Sequence, residues 1–174
     1  MFHDLAQHAI AWVTAVARAH PYWVFPIAFA TAFAESFVGL SFLVPGFAIL
    51  VALGSVIGAS DIGVFPAIMG AAGGAICGNW ISWWLGLHYH HQLLHIWPFR
   101  KFEAQIEKAL HFFHRWGAWG VFFGQFLGPF RATVPLVAGM SELEFRPFIL
   151  ASVASALLWA TLLLAFPAAA MGMF

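Results

Sequence analysis

Residues 124–140 read Gly124-Gln125-Phe126-Leu127-Gly128-Pro129-Phe130-Arg131-Ala132-Thr133-Val134-Pro135-Leu136-Val137-Ala138-Gly139-Met140, and this stretch decides how the chain folds. It is apolar enough for hydrocarbon, yet it cannot form one unbroken helix. Pro129 and Pro135 each lack a backbone donor and clash with the preceding turn. Between them stands Arg131, a cation in a run that otherwise carries no charge. Broken backbone at membrane depth is tolerated only inside protein or along a wet cavity. The stretch therefore reads as a segment that enters the membrane, breaks, and places a guanidinium beside the break.

The rest of the chain supports lipid as the solvent. Of 174 residues, 63% are hydrophobic and 8% charged. Ordinary globular chains carry about 25% charged residues, so there is too little polar surface here for a water-facing shell. The apolar runs are long and lack the ten-residue alternation of barrel strands, which indicates helices. Formal net charge is zero, so no attraction to nucleic acid is implied. Cys77 is the single cysteine; no intrachain disulfide can form, and it reads as an inert packing residue. The N-terminus has His3 and Asp4 in place of a basic region and does not read as a signal peptide.

We expect one domain, an all-α polytopic membrane protein. Residues 1–21 read as an interfacial helix, with Leu5, Ala9, Trp12, Val13 and Val16 at helical spacing. From Tyr22 to Gly58 the only charge is Glu35, and Gly39, Pro45, Gly46 and Gly54 interrupt the run. This is too long for one span and too short for two with a turn. A re-entrant hairpin over 22–46 followed by a short span over 47–60 is the expected solution. Residues 64–87 form a full span, along which Gly70, Gly74 and Gly78 make a doubled G-x-x-x-G ladder for close helix contact. Residues 97–116 form an amphipathic helix, with Phe99, Phe102, Ile106, Leu110, Phe113 and Trp116 on one face. Arg100, Lys101, Lys108 and Arg115 make the 88–116 region the most basic part of the chain, which places it on the cytoplasmic side. A second re-entrant hairpin covers 117–140, and a last span covers 147–170.

The two halves resemble each other weakly, each with a charge-bearing broken segment and then a full span. Phe65-Pro66 is followed by Trp80, and Phe145-Arg146-Pro147 by Trp159, at nearly equal distances. Repeats of this kind place a binding site between broken helices near the midplane.

Two residues stand out as carriers of chemistry. An ionised Glu35 in hydrocarbon is costly, so it must be paired, protonated or in contact with water; it is a candidate gate or proton carrier. Arg131 can bind phosphate through two parallel N–H bonds. A Glu35–Arg131 salt bridge that only ties the fold together is the competing reading, and a resting pair that opens for an anionic headgroup unites the two. Gln125 can assist Arg131 or simply join two helices, and the same holds for Asn79. His88, His90, His91 and His95 cluster, with His91 and His95 at metal-pair spacing, but no Glu or Cys completes a set. No metal site and no cofactor is expected. The structural breakers are Pro45, Gly46, Gly128, Pro129, Pro135 and Gly139.

These features resemble the DedA family of bacterial membrane proteins. The resemblance rests on Glu35 ahead of Pro45-Gly46, on the run Gly74, Gly78, Asn79, Trp83 and Gly86, on the basic amphipathic helix, and on the Gly124–Gly139 motif. It covers roughly residues 22–165. It implies two re-entrant hairpins facing each other and lipid transport across the bacterial inner membrane, of undecaprenyl phosphate or phospholipids; eukaryotic relatives resemble scramblases. Glu35 and Arg131 match the family's intramembrane acid and second arginine. The chain departs where Phe47 replaces an acidic residue, Gln125 an arginine and Asn79 an aspartate. These departures weaken proton coupling more than headgroup binding.

The expected function is a flippase or scramblase for a phosphate-bearing lipid, with Arg131 and Gln125 binding the headgroup and Glu35 gating. A proton-coupled transporter of a small ion or metabolite is the alternative, and an assembly protein without transport the third. An enzyme is not expected, for want of a nucleophile. The expected partners are membrane lipids; the sequence is also compatible with a homo-oligomer.

Overall fold

The computed structural model describes residues 8, 11–12, 15–16, 19–41, 44–60, 62–95, 103–128 and 131–172; the side chains of 90–95, 103–108 and 172 fall outside that description. Its elements are helices, with no strand among the described residues. After a 3-10 turn at Pro21–Trp23 come α1 (Val24–Ser36), α2 (Gly46–Gly58), α3 (Val64–His95), α4 (Glu103–Trp116), α5 (Ala118–Gly124), α6 (Thr133–Met140) and α7 (Phe145–Gly172).

Length sorts these helices. The apolar parts of α3 and α7, Val64–Tyr89 and Phe145–Met171, contain 26 and 27 residues. At 1.5 Å per residue they reach roughly 40 Å, enough to cross a hydrocarbon core of about 30 Å. Tyr89, with φ −115° and ψ 17°, kinks α3 where its apolar run ends. The 13 residues each of α1 and α2 reach only roughly 20 Å. Within the region expected as a hairpin over 22–46 and a span over 47–60, the helices are Val24–Ser36 and Gly46–Gly58. Residues 37–41 turn after α1, and α1 and α2 meet each other. Pro45 stands immediately before α2, which begins at Gly46. In the second broken region, α5 and α6 have seven and eight residues. Pro135 sits in the first turn of α6, where its missing N–H breaks no helical bond. Pro129 lies outside the described residues.

Lateral packing is governed by small residues. An added Cβ on Gly74 would collide with the Phe29 carbonyl of α1, and one on Gly70 with that of Phe25. The Cβ of Gly78 would approach the Phe33 carbonyl to 2.9 Å. The glycine ladder is therefore the groove in which α1 lies. α6 meets α3 the same way, Gly139 against the Trp83 carbonyl and Gly86 against that of Leu136. α2 meets α7 with Gly54 and Gly58 against the carbonyls of Leu164 and Ala168. α5 also packs on α7, and α3 and α7 touch. The first arm of each broken pair thus lies on the long helix of its own half, and the second arm on that of the other half.

The outer surface is as apolar as the core. On α7, Ala151, Ser152, Ser155, Ala156 and Ala160 face inward, while Leu150, Leu157, Leu158, Leu162 and Phe166 are exposed. A helix apolar on its inner and outer faces alike suits packing within lipid. On α4, Phe113 is buried while His111, His114 and Arg115 are exposed, in keeping with an amphipathic helix over its described side chains. Residues 97–102 lie outside the described ones. The described positions between 8 and 19 are helical, and Val16 packs against the core.

Candidate functional site

The two breaks meet. Glu35 and Ser36 end α1, Arg131 lies between α5 and α6, and Trp159 comes from the middle of α7. Ser82 of α3 ties down the end of α1: the Val38 amide donates to its Oγ at 3.2 Å, and that hydroxyl donates to the Ser36 carbonyl at 3.5 Å. This takes up backbone groups that a helix end leaves open. At the second break, the amides of Phe126, Leu127 and Arg131 donate to the carbonyls of Phe123, Gly124 and Gly128. Gly128 has φ +58°, a left-handed conformation that favours glycine.

Arg131 is 4% exposed. Its Nη2 donates to Ser36 Oγ at 2.9 Å. Its Cζ lies 3.7 Å from the centroid of the Trp159 ring, a cation–π contact. Its Nη1 is 3.7 Å from Glu35 Oε1, an ion pair too long for a hydrogen bond. Nε and Nη1 have no hydrogen-bond partner among the described residues, and neither does Glu35 Oε2. Two helix ends reinforce these charges. Arg131 sits at the C-terminus of α1, where the macrodipole is negative, and Glu35 lies against Gly46 at the N-terminus of α2, where it is positive. A Cβ on Gly46 would come within 2.7 Å of Glu35 Oε2, so the missing side chain makes room for the carboxylate.

These groups line a cavity of about 850 Å³. Glu35, Ser41, Gln125 and Arg131 supply its polar wall; Val44, Phe47, Val51, Trp159, Leu163 and Phe166 are among its apolar residues. Gln125 is 2% exposed, and its Nε2 and Ser41 Oγ are also without partners among the described residues. Residues with unpartnered polar atoms thus line the cavity, and the rest of its wall is apolar.

The structure therefore brings Arg131, Gln125 and Glu35 to one cavity, with Pro45, Gly46 and Gly128 on its wall. Asn79 is elsewhere: it is buried and donates to Ser152 Oγ at 3.0 Å, an interhelical bond between α3 and α7. Gly139 and Pro135 serve α6 and its contact with α3. His88 is exposed with Nδ1 3.0 Å from the Trp84 carbonyl; the side chains of His90, His91 and His95 lie outside the described ones. No metal-binding group of His, Cys, Asp or Glu occurs among the described residues. Sequence reasoning missed Ser36, Ser41 and Trp159 as site residues. Ser36 carried a signal, as the polar neighbour of Glu35 in an apolar run. Trp159 carried only its place in the last span and its match to Trp80 in the weak repeat.

Short helices flanking a buried ion pair and a cavity, with two long apolar helices beside them, define a membrane protein that is helical throughout its described residues. Residues 44–168 match the family described as the VTT domain. The chain belongs to that family, which is the DedA family of the sequence resemblance. It is 35% identical over 129 residues to the inner membrane protein YabI of Escherichia coli, covering 74% of this chain and 50% of that protein. It is 29% identical over 168 residues to the inner membrane protein YghB of Salmonella typhimurium, covering 94% of this chain and 72% of that protein. An uncharacterized membrane protein of Buchnera aphidicola matches at 29% over 127 residues, 73% of this chain and 50% of that protein. The chain spans about half the length of the first of these relatives. The names of the relatives support the bacterial inner membrane as its location. No solved structure matches.

Proposed function

We propose that this protein moves a phosphate-bearing lipid, such as undecaprenyl phosphate or a phospholipid, between the leaflets of the inner membrane. In this reading α1–α2 and α5–α6 are two opposed re-entrant hairpins, related as an inverted repeat. The reciprocal packing of their arms on α3 and α7 supports it, because a two-fold relation exchanges α1 with α5, α2 with α6 and α3 with α7. The chain crosses the membrane more than once, and the basic 88–116 region faces the cytoplasm.

The observation that carries the proposal is the free Nε and Nη1 of a buried Arg131 in an apolar-walled cavity. A phosphate is the common lipid group that pairs with a guanidinium. Gln125 supplies a third donor, and the acyl chain stays in the bilayer beyond the exposed Phe47 and Phe166. Glu35 neutralises Arg131 while the site is empty and releases it when phosphate arrives. Proteoliposomes holding a fluorescent phospholipid test this. Translocation by the intact protein and its loss in Arg131→Ala is the expected result; an Arg131→Ala variant as fast as the parent overturns it.

A second reading, proton-coupled transport of a small ion or metabolite, draws on the unpartnered Oε2 of Glu35 at the same cavity. It requires transport that follows an imposed pH gradient and stops in Glu35→Gln.

A further inference from the structure

A second cavity, of about 310 Å³, shares no lining residue with the first. It is a groove lined by Ala109, Phe112 and Phe113 of α4, Gly120 and Gly124 of α5, and Val134 of α6, among others, and apart from Thr133 its wall is apolar. Its volume falls at the low end of ligand pockets, about 300–1,000 Å³. A Cβ on Gly120 would come within 2.9 Å of the Phe112 ring, and one on Gly124 within 2.8 Å of Val134, so α5 lies close against both neighbours. Phe113 is buried while Phe112 and Leu127 are exposed, so the groove opens on the Phe112 side of α4.

The charges of α4 are divided between its two flanks. Glu103 and Leu110 stand seven residues apart, as do Glu107 and His114, and Lys108 and Arg115. Seven residues make nearly two turns, so each pair shares a stripe of the helix. Leu110 packs against Leu136 and Met140, which turns its stripe, and the acidic positions with it, toward α6. Arg115 belongs to the other flank, which borders Phe112 and Trp116, two stacked rings 6.1 Å apart. It is exposed and forms no ion pair among the described residues. Trp116 is half-exposed on the same rim, as befits a tryptophan at headgroup level.

We propose that this groove holds one acyl chain of an anionic phospholipid, whose phosphate meets the flank of Arg115 and Lys108. The bound lipid is a resident of the bilayer around the protein and is separate from whatever occupies the Glu35–Arg131 cavity. Charge complementarity selects it. A zwitterionic lipid offers the same chain without net charge to match the basic flank. A second copy of this chain has a formal net charge of zero and brings no excess of acid.

The test places the full chain in phosphatidylcholine vesicles that contain a minor fraction of lipid with brominated acyl chains, which quench nearby tryptophan. The brominated lipid is either phosphatidylglycerol or phosphatidylcholine. The signal of Trp116 is the part of the fluorescence that Trp116→Phe loses. Brominated phosphatidylglycerol is expected to quench that signal at a fraction at least about fivefold lower than brominated phosphatidylcholine, the preference that one basic residue confers at a membrane surface. Arg115→Gln, at an exposed position that tolerates exchange, should lower the preference by about that factor. Ala109→Leu fills the groove and should weaken quenching by both lipids. Equal quenching by the two lipids in the parent, or a preference unchanged in Arg115→Gln, overturns the proposal. Quenching undiminished in Ala109→Leu reduces the site to headgroup attraction at the surface and overturns the groove as well. Shielding of Trp116 from both lipids that grows with protein density would give the groove to a second copy, and the proposal would fall. The readout is Trp116 and not translocation, so the outcome stands whether or not the Arg131 cavity carries lipid.

Discussion

Arg131 Nη1 stands 3.7 Å from Glu35 Oε1, close enough to neutralise it and too far to satisfy it. Each partner keeps an atom with no hydrogen bond among the described residues. A pair serving only to hold the fold would be expected to close, since burial rewards good geometry and penalises open polar atoms.

Charge removal separates stability from transport. Arg131→Ala leaves Glu35 buried without its counter-charge, and a loss of about 3–5 kcal/mol is expected. The double variant Glu35→Gln/Arg131→Met removes both charges and should recover most of that stability. It should not recover lipid translocation. Unfolding followed by steric trapping, together with the proteoliposome assay, checks both halves; a double variant that transports at the parental rate would assign the pair a structural role.

Arg131→Lys keeps the charge and loses the fork. Translocation is expected to fall by about tenfold, the cost of one charge-assisted hydrogen bond, with less effect on folding than Arg131→Ala. Comparing initial rates at several probe densities measures it.

Gradient dependence decides between the two transport readings. Under lipid scrambling, imposing a pH difference across the proteoliposome membrane leaves the rate unchanged, and Glu35→Gln alters it by less than about tenfold. Acceleration by the gradient that disappears in Glu35→Gln would favour proton coupling.

Two adjacent glycines should respond in opposite directions. A Cβ on Gly74 meets the Phe29 backbone, which cannot yield without moving α1, so Gly74→Ala is expected to cost at least about 1–3 kcal/mol. A Cβ on Gly73 meets only the Phe29 ring at 3.5 Å, ordinary contact, so Gly73→Ala should be neutral or stabilising by up to about 1 kcal/mol through helix propensity. Equal effects of the two would contradict the packing of α1 in the ladder.

Asn79 and Ser152 should couple weakly. Hydrogen bonds between membrane helices average about 0.6 kcal/mol in double-mutant cycles, and the 3.0 Å bond between α3 and α7 is expected to fall near that value. A cycle on Asn79→Ala and Ser152→Ala measures it, with translocation retained throughout.

Much of this molecule is legible in its residues. A chain with 63% hydrophobic and 8% charged residues calls for lipid, and the long apolar runs in it call for helices. Pro45, Gly46, Pro129 and Pro135 mark where helix starts and breaks are favoured, because a missing N–H is a local property of the chain. Glu35 and Arg131 mark themselves by the cost of charge in hydrocarbon. The spacing of Gly70, Gly74 and Gly78 marks one close-packed face. Only the tertiary structure decided which helix fills that face, that α1 and α2 meet each other, and that α6 lies on α3 while α2 lies on α7. It alone brought Ser36 and Trp159 to Arg131, from 95 residues upstream and from the last helix. The reason is physical: a break or an isolated charge is set by the few residues around it, whereas the partner of a buried guanidinium depends on which helices the glycines allow to touch.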